Sequence, residues 1–296
     1  MPDATASVLL LGATGQVGHA LRRTLAPLGR VHAPGRAAVD LTDLTSVRAA
    51  VRELGPDLVV NAAAYTDVDG AEEEPERAAR INAEAPRVLA EAARAVGAWL
   101  VHYSTDYVFD GTKRAPYTEA DAPSPISVYG RTKRDGEKAI RMVGGRHVIL
   151  RTSWVYSRRR SNFVRTMLGL AAENDRLTVV DDQIGVPTWA GWCAEATASV
   201  CERLLTGGDA PGAGCYHLAG TGQTSWYGLA RAVFAQFGRT DVTVEPVSSG
   251  EYDTAAPRPA YTVLDSSRIR TAFRVPTTTW SEQLSHFRRH VASLKD

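Results

Sequence analysis

The chain has 296 residues, of which 44% are apolar and 23% are charged, a composition typical of a globular protein. Its 34 basic and 33 acidic residues give a formal net charge of +1, which argues against a nucleic-acid or membrane-surface partner. There is no run of 18 apolar residues and no basic segment leading into an apolar one near the start. We therefore expect neither a membrane helix nor export.

Three cysteines are present, Cys193, Cys201 and Cys215, and none forms a C-x-x-C pair. This pattern fits a reduced, cytoplasmic protein better than a disulfide-linked one. The seven histidines show no spacing typical of metal ligands, so we predict no catalytic metal.

The first half of the chain alternates short apolar runs with segments of helical spacing. Strands are predicted at 8–11, 30–33, 58–60, 99–103 and 147–150, and helices at 16–28, after a start signal at 40–43, at 72–96 and at 129–142. This alternation predicts an α/β fold, a Rossmann-type doubly wound parallel sheet with right-handed crossovers.

After residue 152 the alternation becomes less regular. Helices are predicted near 163–174, 190–205 and 226–237, with short strands at 177–180 and 216–218. We interpret residues 1–152 as a dinucleotide-binding domain and 153–296 mainly as a smaller, mixed α/β substrate domain. Segments near 177–205 and 214–219 are expected to return to the first domain, so that the two are interleaved.

The first predicted strand is joined to the first helix by a turn with three glycines, Gly12, Gly15 and Gly18. A helix N-terminus at this place offers N–H groups and a positive dipole end to a pyrophosphate. A side chain at Gly15 would hold the phosphates away, and one at Gly18 would push the helix off the sheet. The turn predicts dinucleotide binding, and Gln16 and Val17 follow it at the helix start.

The residues after the second strand indicate which dinucleotide is bound. Sites for NAD usually have an acidic residue here, but residues 32–36 contain none, and they end in Arg36. Because Arg36 can pair with a 2′-phosphate, NADPH is favoured, with NADH as the alternative. Asp40 either hydrogen-bonds the adenine or caps the next helix. A second basic feature, the run at 158–160, is interpreted as a solvated turn rather than a phosphate clamp.

Tyr129 and Lys133 lie one helical turn apart and therefore share a helix face. A ketone that accepts hydride needs a proton donor, and an adjacent ammonium is expected to lower the pKa of a tyrosine enough for that role. Thr105 follows the fourth strand, at the carboxyl edge where open α/β sheets bind ligands. Its hydroxyl is expected to hydrogen-bond the reacting oxygen. Together these three residues predict a carbonyl reductase.

Over nearly its whole length the chain resembles the dTDP-4-dehydrorhamnose reductases, an extended short-chain dehydrogenase family. The stretches that carry the resemblance are 12–18, 61–69, 102–109, 129–133, 151–156, 162–163, 183–188 and 216–218. The most specific of them are the Ser-Thr-Asp-Tyr-Val-Phe and Arg-Thr-Ser-Trp-Val-Tyr sequences.

The resemblance implies reduction of the C4 ketone of dTDP-4-dehydro-L-rhamnose to dTDP-L-rhamnose with NADPH. It implies Tyr129 as proton donor, Lys133 as its electrostatic partner and ribose ligand, and Thr105 as the group that polarises the keto oxygen. It adds cofactor contacts at Leu41, Ala62, Ala64, Tyr65, Thr66 and Tyr103. Sugar-nucleotide contacts are implied at Val68, Asp106, Tyr107, Trp154 and Arg258, although Tyr107 and Trp154 can equally be core aromatics and Arg258 an idle loop residue.

Departures from the family pattern lie at 157–160, where glycine-containing residues are usual, and at Thr262, where serine is usual. They leave open a related ketosugar reductase of an antibiotic pathway. A nucleotide-sugar epimerase or dehydratase and a non-catalytic NADP-binding regulatory subunit are more distant alternatives, because Asp106 has no second carboxylate beside it and the three catalytic residues are intact. A homodimer is possible, and the sequence does not decide the assembly.

Overall fold

A computed structural model of the chain describes residues 5–207, 212–252 and 254–293. The strands are β1 Ala6–Leu11, β2 Gly29–His32, β3 Leu58–Asn61, β4 Trp99–Thr105, β5 His147–Thr152, β6 Val155–Tyr156, β7 Arg176–Val180, β8 Ile184–Gly185, β9 Thr188–Trp189, β10 Gly214–His217, β11 Thr224–Ser225 and β12 Thr243–Val247. The helices are α1 Gln16–Thr24, α2 Leu44–Leu54, α3 Gly70–Glu73, α4 Pro75–Ala79, α5 Ala85–Val96, α6 Val128–Val143, α7 Phe163–Glu173, α8 Ala190–Thr206, α9 Trp226–Phe237, α10 Ser267–Phe273 and α11 Trp280–Ala292.

A six-stranded sheet with the order β10-β5-β4-β3-β1-β2 forms the centre of the fold, and all of its neighbouring strands are parallel. One apolar core covers the face on which α1 and α8 pack, and a second covers the face on which α2 and α5 pack. Strands such as Leu58–Asn61 are buried along their whole length, as expected for a parallel sheet covered on both faces. The predicted α/β, Rossmann-type class is confirmed.

The strand ends of this sheet create the edge on which the site is built. Leu11 is in register with Asn61, Asn61 with His102, and Thr105 with Thr152. Because the strands are parallel, the glycine turn after β1 and the end of β4 open on the same carboxyl edge.

The remaining strands form three two-stranded pairs, β7 with β12, β6 with β9 and β8 with β11. A third core, built from α7, α9 and α11 around these pairs, lies beside the main sheet. The expectation that the strand near 177–180 returns to the main sheet is wrong, because β7 pairs with β12. By contrast, α8 packs against α1, and β10 joins the main sheet beside β5. The domain boundary at 152 stays a prediction, and residues 1–4, 208–211, 253 and 294–296 of the two domains lie outside the described chain.

The predicted single helix over 72–96 is wrong. The segment consists of α3, α4, a π-helical turn Arg80–Glu84 and α5. Pro75 is the first residue of α4, where the absent N–H costs no helical hydrogen bond. Pro86 is the second residue of α5, which follows the π-helical turn directly inside a continuous run of helical backbone. In the π-helical turn, the Asn82 side chain accepts from the Tyr65 N–H at 2.9 Å and donates to the Tyr65 carbonyl at 3.0 Å. The interrupted helix therefore fixes the loop that follows β3.

Two further boundaries differ from the predictions. The first helix ends at Thr24 and is followed by a 3-10 turn, Ala26–Leu28, rather than continuing to residue 28. Strand β4 extends to Thr105, so Thr105 is its last residue. Within the described ranges, no helix is both long enough and apolar enough to cross a membrane.

Candidate active site

A cavity of about 780 Å³ opens at the carboxyl edge of the sheet. That volume is typical of small-molecule and cofactor sites. Nearly all predicted site residues line it, namely Gly12, Gly15, Gln16, Val17, Arg36, Asp40, Leu41, Ala62, Ala64, Tyr65, Thr66, Val68, Tyr103, Thr105, Asp106, Tyr107, Tyr129, Lys133 and Trp154. Gly18 and Arg258 are not part of the lining.

The glycine turn is shaped by close backbone contacts. Gly12 has a φ of 79°, and a Cβ there would lie 2.6 Å from the carbonyl carbon of Ala62. A Cβ at Gly18 would lie 2.1 Å from the Gly12 carbonyl oxygen, so the turn and the helix approach more closely than any side chain permits. Helix α1 has no side-chain cap at Gly15 and no acidic residue in its first turn. Its N-terminal N–H groups and positive dipole end therefore suit an anionic ligand.

Arg36 and Asp40 lie at another part of the cavity wall and face each other. The Arg36 Nε lies 3.3 Å from an Asp40 carboxylate oxygen; the Arg36 side chain is largely exposed and that of Asp40 is partly buried. Asp40 also accepts from the N–H and the hydroxyl of Thr42, and these hydrogen bonds hold its pKa below the ordinary value. Asp43, not Asp40, caps α2. Asp40 thus stabilises the turn before the helix and keeps Arg36 beside the cavity.

Thr105 and Tyr129 belong to different elements that meet inside the cavity. Thr105 ends β4, and its hydroxyl oxygen accepts from the Tyr107 N–H at 3.2 Å. Tyr129 lies in the first turn of α6, which Ser127 caps by accepting from the Gly130 N–H. Burial raises the pKa of Tyr129 to about 12, although a hydrogen bond with Thr105 acts in the opposite direction. The phenol therefore keeps its proton throughout the neutral range.

Lys133 is almost entirely buried and its ammonium points to β4. Nζ donates to the Tyr103 carbonyl at 2.6 Å and lies 3.3 Å from Nε2 of His102. Burial lowers the pKa of Lys133 to about 8, while the Glu137 charge raises it. Burial is the largest effect on Tyr129, so the pKa of the phenol is raised overall rather than lowered. The predicted lowering of that pKa by Lys133 stays a prediction, and the ammonium is engaged by β4.

His102 completes the support behind Lys133. Its Nδ1 lies 3.1 Å from the Asn61 side-chain nitrogen, and the Asn61 side-chain oxygen accepts from the Ala63 N–H. Burial, followed by the charge of Lys133, holds the pKa of His102 well below its usual range. His102 is therefore neutral, and its ring lies beside the lysine without adding a second positive charge. The sequence interpretation did not identify this role.

Of the two acidic residues in the described lining, Asp40 and Asp106, only Asp106 is buried. It is 2% exposed, and its Oδ1 accepts from the Thr105 hydroxyl at 3.1 Å, whereas Oδ2 has no hydrogen-bond partner. Burial raises the pKa of this carboxyl to about 7, and the neighbouring Thr262 and Thr105 hydroxyls act against that rise. A buried polar atom without a partner costs free energy, so its presence here suits a ligand contact.

Aromatic side chains form a further part of the cavity wall. Trp154 stacks on Trp226 with ring centroids 3.5 Å apart, and Trp154 has a left-handed φ of 45°. The rings of Tyr107 and Tyr129 meet edge to face at 5.9 Å. These contacts give the cavity a flat, apolar side, and Trp226 is a lining residue that the sequence interpretation did not identify.

Arg258 lies outside the cavity lining. Its guanidinium pairs with the Asp69 carboxylate at 2.6 Å and donates to the Ala256 carbonyl at 3.2 Å. The ion pair ties the 254–260 segment to the loop after β3. The substrate contact implied for Arg258 stays a prediction, and it requires the guanidinium to be shared with Asp69 or released from it.

Comparison with known proteins identifies the family. The family model of the RmlD substrate binding domain matches residues 6–293. A dTDP-4-dehydrorhamnose reductase of Escherichia coli strain K12 is 42% identical over 284 residues, which cover 93% of this chain and 94% of that protein. A probable dTDP-4,6-dihydroxy-2-methyloxan-3-one 4-ketoreductase of Streptomyces antibioticus is 42% identical over 279 residues, 93% of this chain and 92% of that protein.

A solved structure agrees with these relatives. The crystal structure of dTDP-4-dehydrorhamnose reductase from Bacillus anthracis strain Ames in complex with NADP superimposes with a TM-score of 0.90 at 34% identity. The match covers 97% of this chain and 99% of that one. The chain belongs to the dTDP-4-dehydrorhamnose reductase family.

Proposed function

We propose that the chain is an NADPH-dependent reductase of the C4 ketone of a dTDP-4-keto-6-deoxy sugar, with dTDP-4-dehydro-L-rhamnose as the expected substrate. One observation carries the proposal: a single cavity is lined by the glycine turn and by Thr105, Tyr129 and Lys133. The substrate class is that of the Escherichia coli relative, a dTDP-4-dehydrorhamnose reductase. The cofactor is that of the Bacillus anthracis structure, which is a complex with NADP.

The residues present fit a nicotinamide dinucleotide. The uncapped start of α1 offers N–H groups where a diphosphate binds in this type of fold, and the close approach of Gly18 to Gly12 keeps that turn tight. Arg36 at the cavity wall provides a positive charge for a 2′-phosphate, which supports NADPH over NADH. The cofactor supplies the hydride when it is bound.

The chain's own groups supply a proton and a polar environment for the ketone oxygen. Tyr129, protonated at neutral pH, donates its phenolic proton to that oxygen as negative charge develops on it. The Thr105 hydroxyl stabilises the same oxygen by a hydrogen bond when its proton turns from Asp106 to the substrate. Lys133, held by Tyr103 and His102, places a positive charge in the cavity, where it favours the phenolate left after transfer.

The sugar itself is the finer part of the proposal. A related ketosugar reductase is the second candidate. The probable 4-ketoreductase of Streptomyces antibioticus is 42% identical to this chain, as is the dTDP-4-dehydrorhamnose reductase of Escherichia coli. The edge of the pocket that would distinguish such sugars includes Asp106 and Tyr107.

The proposal is tested by following NADPH oxidation with a panel of dTDP-4-keto-6-deoxy sugars and identifying each product by NMR. We expect turnover with dTDP-4-dehydro-L-rhamnose and a loss of about 100-fold or more in Tyr129→Phe, with NADPH binding retained. Preference for another ketosugar would select the second candidate, and unchanged turnover in Tyr129→Phe would exclude the mechanism. Purified protein that carries a tightly held, recycled nicotinamide would instead favour an epimerase.

A further inference from the structure

The segment 157–162 is fastened to the start of α1. The Ser157 hydroxyl donates to the side-chain carbonyl of Gln16 at 2.9 Å, and the Asn162 amide donates to the same oxygen at 3.0 Å. Gln16 in turn donates to the Val155 carbonyl at 3.2 Å. The short basic run at 158–160 is therefore held against the glycine turn, while its three residues are solvent-exposed, as the sequence interpretation expected.

Arg160 is the member of that run that lines the cavity. Its guanidinium donates to the carbonyl and to the hydroxyl of Thr14, at 3.3 and 3.4 Å, and Thr14 is a residue of the glycine turn. The Arg160 backbone has a left-handed φ of 59°, a conformation that non-glycine residues adopt only at a cost. The Asn162 amide donates to the Arg160 carbonyl at 3.3 Å, which stabilises this conformation.

The charges around the cavity distinguish Arg160 from Arg36 and Arg77, the other two arginines that line it. Arg36 pairs with Asp40 and Arg77 with Glu74, each within 3.3 Å. Among the residues that the structure describes, no carboxylate forms a salt bridge with Arg160, and α1 beside it has no acidic residue in its first turn. A guanidinium without a counter-ion next to free N–H groups is suited to a phosphate ester.

We propose that Arg160, presented by the 157–162 segment, binds the diphosphate of the dinucleotide cofactor together with the N-terminus of α1. The inference rests on the proposed function for the identity of the cofactor. It assigns different phosphates to two arginines: Arg160 to the diphosphate, which NADPH and NADH share, and Arg36 to the 2′-phosphate, which only NADPH has.

The test measures dissociation constants of NADPH and NADH for the full chain by quenching of tryptophan fluorescence. Arg160→Gly is expected to weaken the binding of both dinucleotides by a similar factor, about 2- to 5-fold for an exposed charged contact, and the factor is expected to shrink at about 0.5 M salt. Arg36→Ala is expected to weaken NADPH alone. Arg158→Ala is the matched control, because its side chain does not line the cavity, and both affinities should stay as in the wild type.

Thermal unfolding separates binding from structure. Glycine adopts a positive φ without strain, so Arg160→Gly should unfold at the same temperature as the wild type or higher although it binds the cofactor less tightly. Unchanged affinity for both dinucleotides in Arg160→Gly would overturn the inference and leave the proposed reductase intact. A loss confined to NADPH would overturn it too, since it would place Arg160 at the 2′-phosphate. Wild-type protein that binds both dinucleotides but reduces no ketosugar would instead contradict the proposed function alone.

Discussion

Replacing Asp106 with Asn removes an ionisable group from the most enclosed part of the cavity while keeping its shape. The carboxyl is 2% exposed, and burial raises its pKa from 3.8 to about 7. Asn keeps an oxygen that can accept from Thr105, as Oδ1 of Asp106 does. An amide stays neutral at every pH, so the variant isolates the cost of ionising this site.

The sign and size of the effect follow from the two pKa values. Below pH 3.8 the carboxyl is neutral in both the folded and the unfolded chain, and ionisation does not affect folding. As the pH rises, the unfolded chain loses its proton first, and the folded state is penalised by about 1.4 kcal/mol per pH unit until the folded pKa near 7 is reached. The full penalty is about 4 kcal/mol, an upper value for a site that admits solvent.

The assay is denaturant unfolding of the wild type and Asp106→Asn at several values between pH 5 and pH 8. We expect the free energy of unfolding of the variant to increase relative to that of the wild type as the pH rises. This difference should level off above pH 7. Asp121→Asn is the matched control: Lys113 and other hydrogen bonds lower the pKa of Asp121 to about 2, so its difference from the wild type should be constant over this range. A pH-independent difference for Asp106→Asn would refute the reasoning.

Three further outcomes are expected. Because Lys133 is charged only below its pKa of about 8, kcat/KM for the ketosugar should fall as the pH rises through that value, and a flat profile from pH 7 to 10 would contradict this role. Gly18→Ala should lower the free energy of unfolding by about 2 kcal/mol or more, because the added Cβ would clash with the Gly12 backbone. Gly169→Ala should not lower it, because no atom of the described residues lies close to the Cβ added there. Glu137→Gln should lower it by about 3 kcal/mol, measured by urea unfolding, because it breaks the buried pair with Arg151; no loss would mean that Arg151 finds another partner.

The parts of the site that the sequence predicted are those fixed by local chemistry. The glycine turn follows the first strand directly, and its spacing reflects contacts within one strand–turn–helix unit. Tyr129 and Lys133 share a helix face because of helical periodicity alone. Thr105 ends a strand whose neighbours are parallel, so its position at the ligand-binding edge follows from the alternation of strands and helices.

The parts that the sequence did not predict depend on partners distant in the chain. The π-helical turn within the 72–96 segment places Asn82, whose amide bridges to Tyr65 and to the Thr132 hydroxyl, and these partners are distant in the chain. The break at Glu74, by contrast, had a local signal in Pro75. The pairing of β7 with β12 joins segments about 67 residues apart, and neither sequence specifies that partner. Arg160 reaches the glycine turn through contacts with residues almost 150 positions earlier.

Several residues of this cavity adopt arrangements that lower the stability of the fold. These destabilising features lie where the reaction is proposed to take place. Asp106 has an unpartnered oxygen, Lys133 loses solvation, and Trp154 and Arg160 adopt left-handed backbone conformations. The two apolar cores on the faces of the sheet have no such features among their described members, and the buried Glu137 and Arg151 in this part of the fold are paired with each other. Since a sequence optimised for stability alone would remove these features, their concentration around one cavity supports its assignment as the active site.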